Sequence, residues 1–186
     1  MSARRRLKSF KSDKRGVAAV EFALLLPMLL IILIGMAETT EALNFKRKLG
    51  QTASSLADLV SQAESISRAE ISDLNVATKW IMDPFPTTGI TTVTASVQFD
   101  ATGKARVAWS VDEKGGTPWA TGSTPPVAIP AGLNRPNTTT IVSLVKGTYT
   151  PMFAGLVTNI FPRAGTIPME DIFFLRPRFT EAVVLN

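Results

Sequence analysis

The sequence predicts an α+β chain: an N-terminal transmembrane helix continuing into an amphipathic stalk helix, followed by a small, mainly antiparallel β-sheet head packed on helix. Three observations predict it. An uninterrupted apolar run occupies Val17 to Ala37, with Glu21 as its only charge. Apolar residues recur at three-and-four spacing beyond it, the period of an amphipathic helix. After Pro86 the period falls to two, the signature of half-buried strands. The expected divisions are a basic leader over 1–16, a membrane helix over 17–37, a helical stalk over 38–83 with a break near 64–67, and a head over 84–186.

The 21 residues from Val17 to Ala37 rise roughly 31 Å as a helix, the hydrocarbon thickness of a bilayer. A secretory signal would have a shorter apolar core ending in a small-x-small cleavage site, and a buried core helix would carry a polar stripe. Charge sets the expected sidedness. Residues 1–16 hold seven bases (Arg4, Arg5, Arg6, Lys8, Lys11, Lys14 and Arg15) against Asp13, whereas only Lys46, Arg47 and Lys48 follow at some distance. The positive-inside bias therefore predicts a cytoplasmic N-terminus, with residues 38–186 across the membrane.

Two features of the run need a reason. Pro27 removes one backbone donor and leaves the carbonyl of Ala23 without its usual partner, so a kink or local loosening is expected there. Glu21 either snorkels to the interface or pairs with Arg15, or is retained at a cost of about 3 kcal/mol because a partner cation meets it in lipid. The residues of this stretch leave both readings open.

In the stalk, Leu43, Leu49, Ala53, Leu56, Val60 and Ala63 form the expected apolar stripe, with Gly50 and Ser65 to Ser67 as weak points. Ser67-Arg68-Ala69-Glu70 has capping-box spacing, which starts a second helix near Arg68. Ile71, Leu74, Thr78 and Ile81 line one face of it with Trp80 beside them, and Asp83-Pro84 ends it. Val93, Ala95, Val97 and Phe99, the turn Asp100 to Gly103, and Ala105, Val107, Trp109 and Val111 predict a hairpin with one apolar face. Residues 113–137, rich in Gly, Pro, Thr and Ser, read as an exposed loop with room for a short strand. Thr140 to Tyr149 and Asp171 to Leu175 are the further strands, the latter suited to an edge because Pro177 follows. Phe153 to Ile160 is apolar but too short to span, and suits a short helix or an apolar patch under a loop. Trp80 and Trp109 follow the core pattern, while Trp119 sits in the loop as a candidate partner contact.

Several function classes are excluded by composition. The net charge is +5 with a pI near 9.8, but residues 1–16 carry +6 of it, so the rest of the chain nets −1 and offers no basic groove for nucleic acid. There is no cysteine and no histidine, which rules out a disulfide framework, a thiolate site and a Ser-His triad built from these residues. No phosphate-binding glycine loop occurs. Asp58, Glu64, Glu70 and Asp73 read as a solvated helix face rather than a metal or acid-base cluster, and Asn137-Thr138-Thr139 is a sequon of the kind frequent by chance. A hydrolase using a Ser-Lys or Ser-Asp pair has no motif behind it.

The string Arg15-Gly16-Val17-Ala18-Ala19-Val20-Glu21-Phe22, running into an apolar segment with Leu26-Pro27, resembles the N-terminus of TadE-like pseudopilins of the tight-adherence (Tad) type IV pilus. The resemblance implies a minor pilin-like subunit in the bacterial inner membrane, inserted N-in with a periplasmic head and with incorporation into the pilus as an option. It implies processing by a prepilin peptidase after Gly16, making Val17 the new N-terminus and Glu21 the fifth residue of the mature chain. Glu21, followed by Phe22, would then meet the free ammonium of a neighbouring subunit, a pairing that contributes register more than raw stability. The implied partners are the prepilin peptidase, other Tad pilins, inner-membrane assembly proteins and the lipid bilayer. No catalytic residue, cofactor, metal, nucleic acid or small-molecule substrate is implied. Gly147-Thr148-Tyr149-Thr150-Pro151 and Phe174-Leu175-Arg176-Pro177-Arg178 resemble the family's head more weakly, and the chain has no room for the larger adhesion-type domain of TadG-like members. The alternative is an uncleaved, membrane-anchored periplasmic scaffold of the same machinery.

Overall fold

The computed structural model describes residues 15–153, 155 and 165–186. The chain is α+β: a long N-terminal apolar helix followed by a small antiparallel sheet. It divides between Glu41 and Ala42 into two compact units. Helix α1 (Arg15–Ser61) supplies the described part of the first and opens the second. In the first unit its large apolar side chains from Val17 to Met36 are exposed, apart from Ile34, which is half-buried. Thr39 and Thr40 donate their hydroxyl hydrogens back to the carbonyls of Gly35 (2.7 Å) and Met36 (2.9 Å), so their polarity is satisfied within the helix.

In the second unit α1 buries the stripe Phe45, Leu49, Ala53, Leu56 and Val60, each leucine or valine contributing about 1.5–3 kcal/mol. The expected stripe began at Leu43, which is exposed. Phe45 takes its place because two residues turn a helix by about 200°, putting Leu43 on the opposite side. Gly50 is no weak point. The helix passes through it intact, and a Cβ there would lie 2.6 Å from Asp171 Oδ2, so the glycine leaves room for Asp171 to reach Lys46 at 3.1 Å.

Beyond Ser61 the chain turns through strand β1 (Ser65–Ile66) into helix α2 (Arg68–Lys79). The capping box is formed as expected: the Ser67 hydroxyl accepts from the Glu70 amide, and the Glu70 carboxylate accepts from the Ser67 amide at 2.7 Å. A 3₁₀ turn, Trp80–Met82, ends the helical region. Trp80 is 79% exposed, contrary to the core pattern expected of it. The buried face of this segment is Ile71, Asn75, Thr78 and Met82, and Trp80 stands two residues, again about 200°, from Thr78.

Strands β2 (Thr91–Phe99), β3 (Ala105–Asp112), β4 (Thr139–Tyr149) and β5 (Ile167–Leu175) form an antiparallel sheet ordered β3-β2-β4-β5. β5 starts four residues before the expected Asp171 and lies at an edge. The hairpin does not have the single apolar face its alternation predicted. The register shifts between Ser96 and Val97, so that Val97 pairs with Val107 while Ser96 pairs with Trp109. This bulge switches the phase of β3. Val107 joins Ala95, Val97, Val142 and Leu144 on one face, and Trp109 and Val111 join the helices on the other. Gly147 of β4 is required where α1 crosses the sheet, since a Cβ there would fall 2.9 Å from Phe45 Cζ and 3.3 Å from a Leu49 methyl.

The face away from the helices is covered by the segment expected to be an exposed loop. Trp119, 7% exposed, packs on Ala95, Val97 and Val142 together with Val127 and Ile129. Its backbone is pinned by Ser110, whose hydroxyl accepts from the Trp119 amide and donates to the Trp119 carbonyl, both at 2.9 Å. The same loop pairs with the outer edge of β3 through Val107 to Ser123 (2.9 Å) and Gly122 to Val107 (2.7 Å), which protects that edge from other strands. No strand forms within 113–137; the regular element there is a 3₁₀ turn at Ala131–Leu133. At the chain's end, β6 (Val184–Leu185) pairs in parallel with β1. The apolar run 153–160 lies outside the described residues apart from Phe153 and Gly155.

Candidate functional site

The predicted site residues all fall on the first third of α1. Gly16 and Val17 lie in its first turn, and Glu21 follows Val17 by four residues, hence on the same helix face. Phe22 is exposed beside it, and α1 continues as helix through Pro27. Glu21 is exposed, and no ion pair joins it to another described side chain. Among the described side chains it is therefore a lone carboxylate on an apolar cylinder, one turn from Val17; the side chain of Arg15, the partner considered for it above, lies outside those described. In hydrocarbon such a group is costly, and what it can do chemically is accept hydrogen bonds from a cation brought to it from outside the fold.

Residues 16–58 match the family model for TadE-like protein. This stretch is TadE-like. It covers the whole exposed apolar part of α1 together with the stripe from Phe45 to Leu56, while the sheet lies outside the match. No curated protein and no solved structure matches the chain. The TadE-like family is a family of pilus structural proteins, and the match over residues 16–58 is consistent with a Tad pilus-associated, pilin-like protein. α1 is long and apolar enough to cross a membrane and is compatible with an anchor.

Among the described residues of the second unit, no group of three or more His, Cys, Asp or Glu side chains is placed to hold a metal ion. Of the four acids set aside above, Asp58 pairs with Arg178 and accepts from Gln62 at 2.8 Å, and Glu70 serves the capping box. The Ser67 amide, and then its hydroxyl, hold the Glu70 carboxyl below its ordinary value of 4.5. Because the folded value is depressed, the stabilisation is complete above pH 4.5 and is lost as pH falls through the folded value. The thermal midpoint of the wild type should therefore fall on acidification below pH 4.5 more steeply than that of Glu70→Gln, which has no proton to take up. Parallel curves for the two proteins, measured by circular dichroism in detergent, would remove the cap's electrostatic role.

Of the tryptophans, Trp109 is buried as expected, whereas Trp119 is buried and Trp80 exposed, reversing the roles expected of those two. The missed signal was helical phase: Trp80 is out of step with Ile71, Asn75 and Thr78, while Trp119 stands in a loop that also carries Val127 and Ile129.

Proposed function

We propose that the chain is a minor pilin-like subunit of the Tad pilus, inserted with its N-terminus in the cytoplasm and processed by a prepilin peptidase after Gly16. Cleavage there would make Val17 the N-terminal residue and create an ammonium on every subunit, one helical turn from Glu21. The observation that supports this reading is Glu21 itself, an exposed carboxylate in an apolar helix with no described partner in its own chain. Reciprocal pairing of Glu21 with the Val17 ammonium of a neighbour would neutralise both charges and fix the stagger of adjacent helices. The other partners on this reading are further Tad pilins and the inner-membrane assembly proteins.

Co-expression with a prepilin peptidase followed by N-terminal sequencing tests it. The expected product begins Val17-Ala18-Ala19-Val20-Glu21, and Gly16→Ile should yield the full-length chain only. Wild-type protein still starting upstream of Gly16, while a control prepilin is cut, would sink the processing step and leave the uncleaved membrane-anchored scaffold as the reading.

A further inference from the structure

The two most exposed large apolar side chains of the described chain are not in α1's apolar run. They are Trp80 at 79% and Met152 at 78%, ahead of Leu24 at 75%. Both belong to the same end of the second unit. Met82, two residues after Trp80, packs with Phe45, Leu49 and Tyr149, and Phe85 meets Phe45 edge-on with ring centres 5.3 Å apart. Trp80 and Phe85 line one open groove with Val76 and Pro86. Tyr149 lies 5.7 Å from the Phe45 ring and pairs with Ile167, so Met152 emerges three residues beyond the same level. Leu43, also exposed, precedes Phe45 by two residues. This end, the base of the head, is therefore where α1 enters the unit.

The tether from the apolar run to this base is short. Ala37 and Phe45 are eight residues apart in α1, about 12 Å at helical rise. The headgroup layer beyond the hydrocarbon is itself about 5–8 Å deep. A tryptophan with its ring free is the side chain most favoured in that layer. The charges at the base come in both signs: Lys79 and Asp83 line the groove beside Trp80, Lys46 pairs with Asp171 and Lys146 with Glu170 (2.9 Å), which points to apolar seating rather than net attraction to anionic lipid.

We propose that the base of the head seats in the headgroup layer of the bilayer that holds α1, with Trp80 and Met152 as its anchors. The inference rests on α1 being the membrane span, and the test separates the two. Because the chain has no cysteine, a single introduced cysteine carries a unique spin label. Trp80→Cys and Met152→Cys remove exposed side chains and leave the core intact. Val184→Cys, at 56% exposure in β6, reports the far end, and Ile31→Cys reports the span. The full chain is reconstituted in phosphatidylcholine vesicles, and collisions with oxygen, which concentrates in lipid, are compared with those of an aqueous nickel chelate.

The expected result is Ile31→Cys in the hydrocarbon, Val184→Cys in water, and both base labels several-fold less accessible to nickel than Val184→Cys, at any salt concentration. Base labels as open to nickel as Val184→Cys, with Ile31→Cys still buried in lipid, overturn the seating alone. Ile31→Cys open to nickel overturns the membrane span and the seating with it. Protection of the base from both reagents that disappears when the protein is diluted in lipid assigns the surface to a second copy and also overturns the proposal.

Discussion

Replacing Trp109 by alanine is expected to cost about 3–5 kcal/mol of folding stability, the largest loss of any single head substitution argued from this structure. The indole is 7% exposed and sits among Leu56 and Val60 of α1, Ile71 of α2, Val111, Ile141 and Val183, so three separate elements lose their common contact at once. Its ring nitrogen also donates to the Val183 carbonyl at 2.8 Å. That bond holds the chain's end against β1, where the Val184 amide donates to Glu64 (3.2 Å) and the Asn186 amide to Ile66 (3.0 Å). Trp109→Phe separates the two contributions. It keeps most of the apolar contact but removes the donor, and should cost about 1–3 kcal/mol. Urea unfolding in detergent micelles measures both. Hydrogen exchange at Val184 and Asn186 should quicken in both variants; unchanged protection in Trp109→Phe would show that the parallel β1–β6 pair holds the C-terminus without the indole.

The same residue shows how far the sequence could be read. Trp109 is recognisable as core from its alternation with Val107 and Val111, but the side of the sheet it occupies is not. Alternation reports that a residue is half-buried and says nothing about a bulge that exchanges the faces in mid-strand, which happens between Ser96 and Val97. Trp119 was hidden for a related reason. Its neighbours are Gly, Pro, Thr and Ser, a composition that marks irregular backbone, yet irregular backbone can still cover a sheet when Trp119, Val127 and Ile129 are spaced to reach it. By contrast α1, the capping box at Ser67 and Glu70, and the hairpin are set by contacts within a few residues of chain, which is why period and spacing suffice for them. β1 and β6 are two residues each and depend on a partner over a hundred residues away, so no local pattern announces them. The candidate site is a local motif as well. Gly16, Glu21 and Phe22 stand out by spacing against an apolar background, but a pairing between copies leaves no mark in the packing of one chain.

Glu21→Ala is expected to leave processing after Gly16 intact and to remove the protein from sheared pili. Two opposing free energies decide the outcome. Within the bilayer, losing the carboxylate relieves a cost of about 2.5–3.5 kcal/mol, so the variant should accumulate in the membrane fraction at wild-type level or above. Within a filament, the same loss strands the ammonium of each neighbouring Val17 without a counter-charge, and removing one partner of a buried ion pair costs about 3–5 kcal/mol. At 1.4 kcal/mol per tenfold, that is on the order of a hundredfold or more in the equilibrium for incorporation. Glu21→Gln keeps the shape and an acceptor oxygen but no charge, and should fall between wild type and alanine. The decisive measurement is the ratio of sheared to membrane-bound protein, taken with the N-terminal sequence of each fraction. A ratio unchanged in Glu21→Ala, with Val17 still the first residue, would mean that the cut is made but the ammonium is met by something other than this carboxylate. The register of the helices would then have to come from the apolar surface of α1, through side chains such as Phe22 and Leu24 that the single chain leaves uncovered.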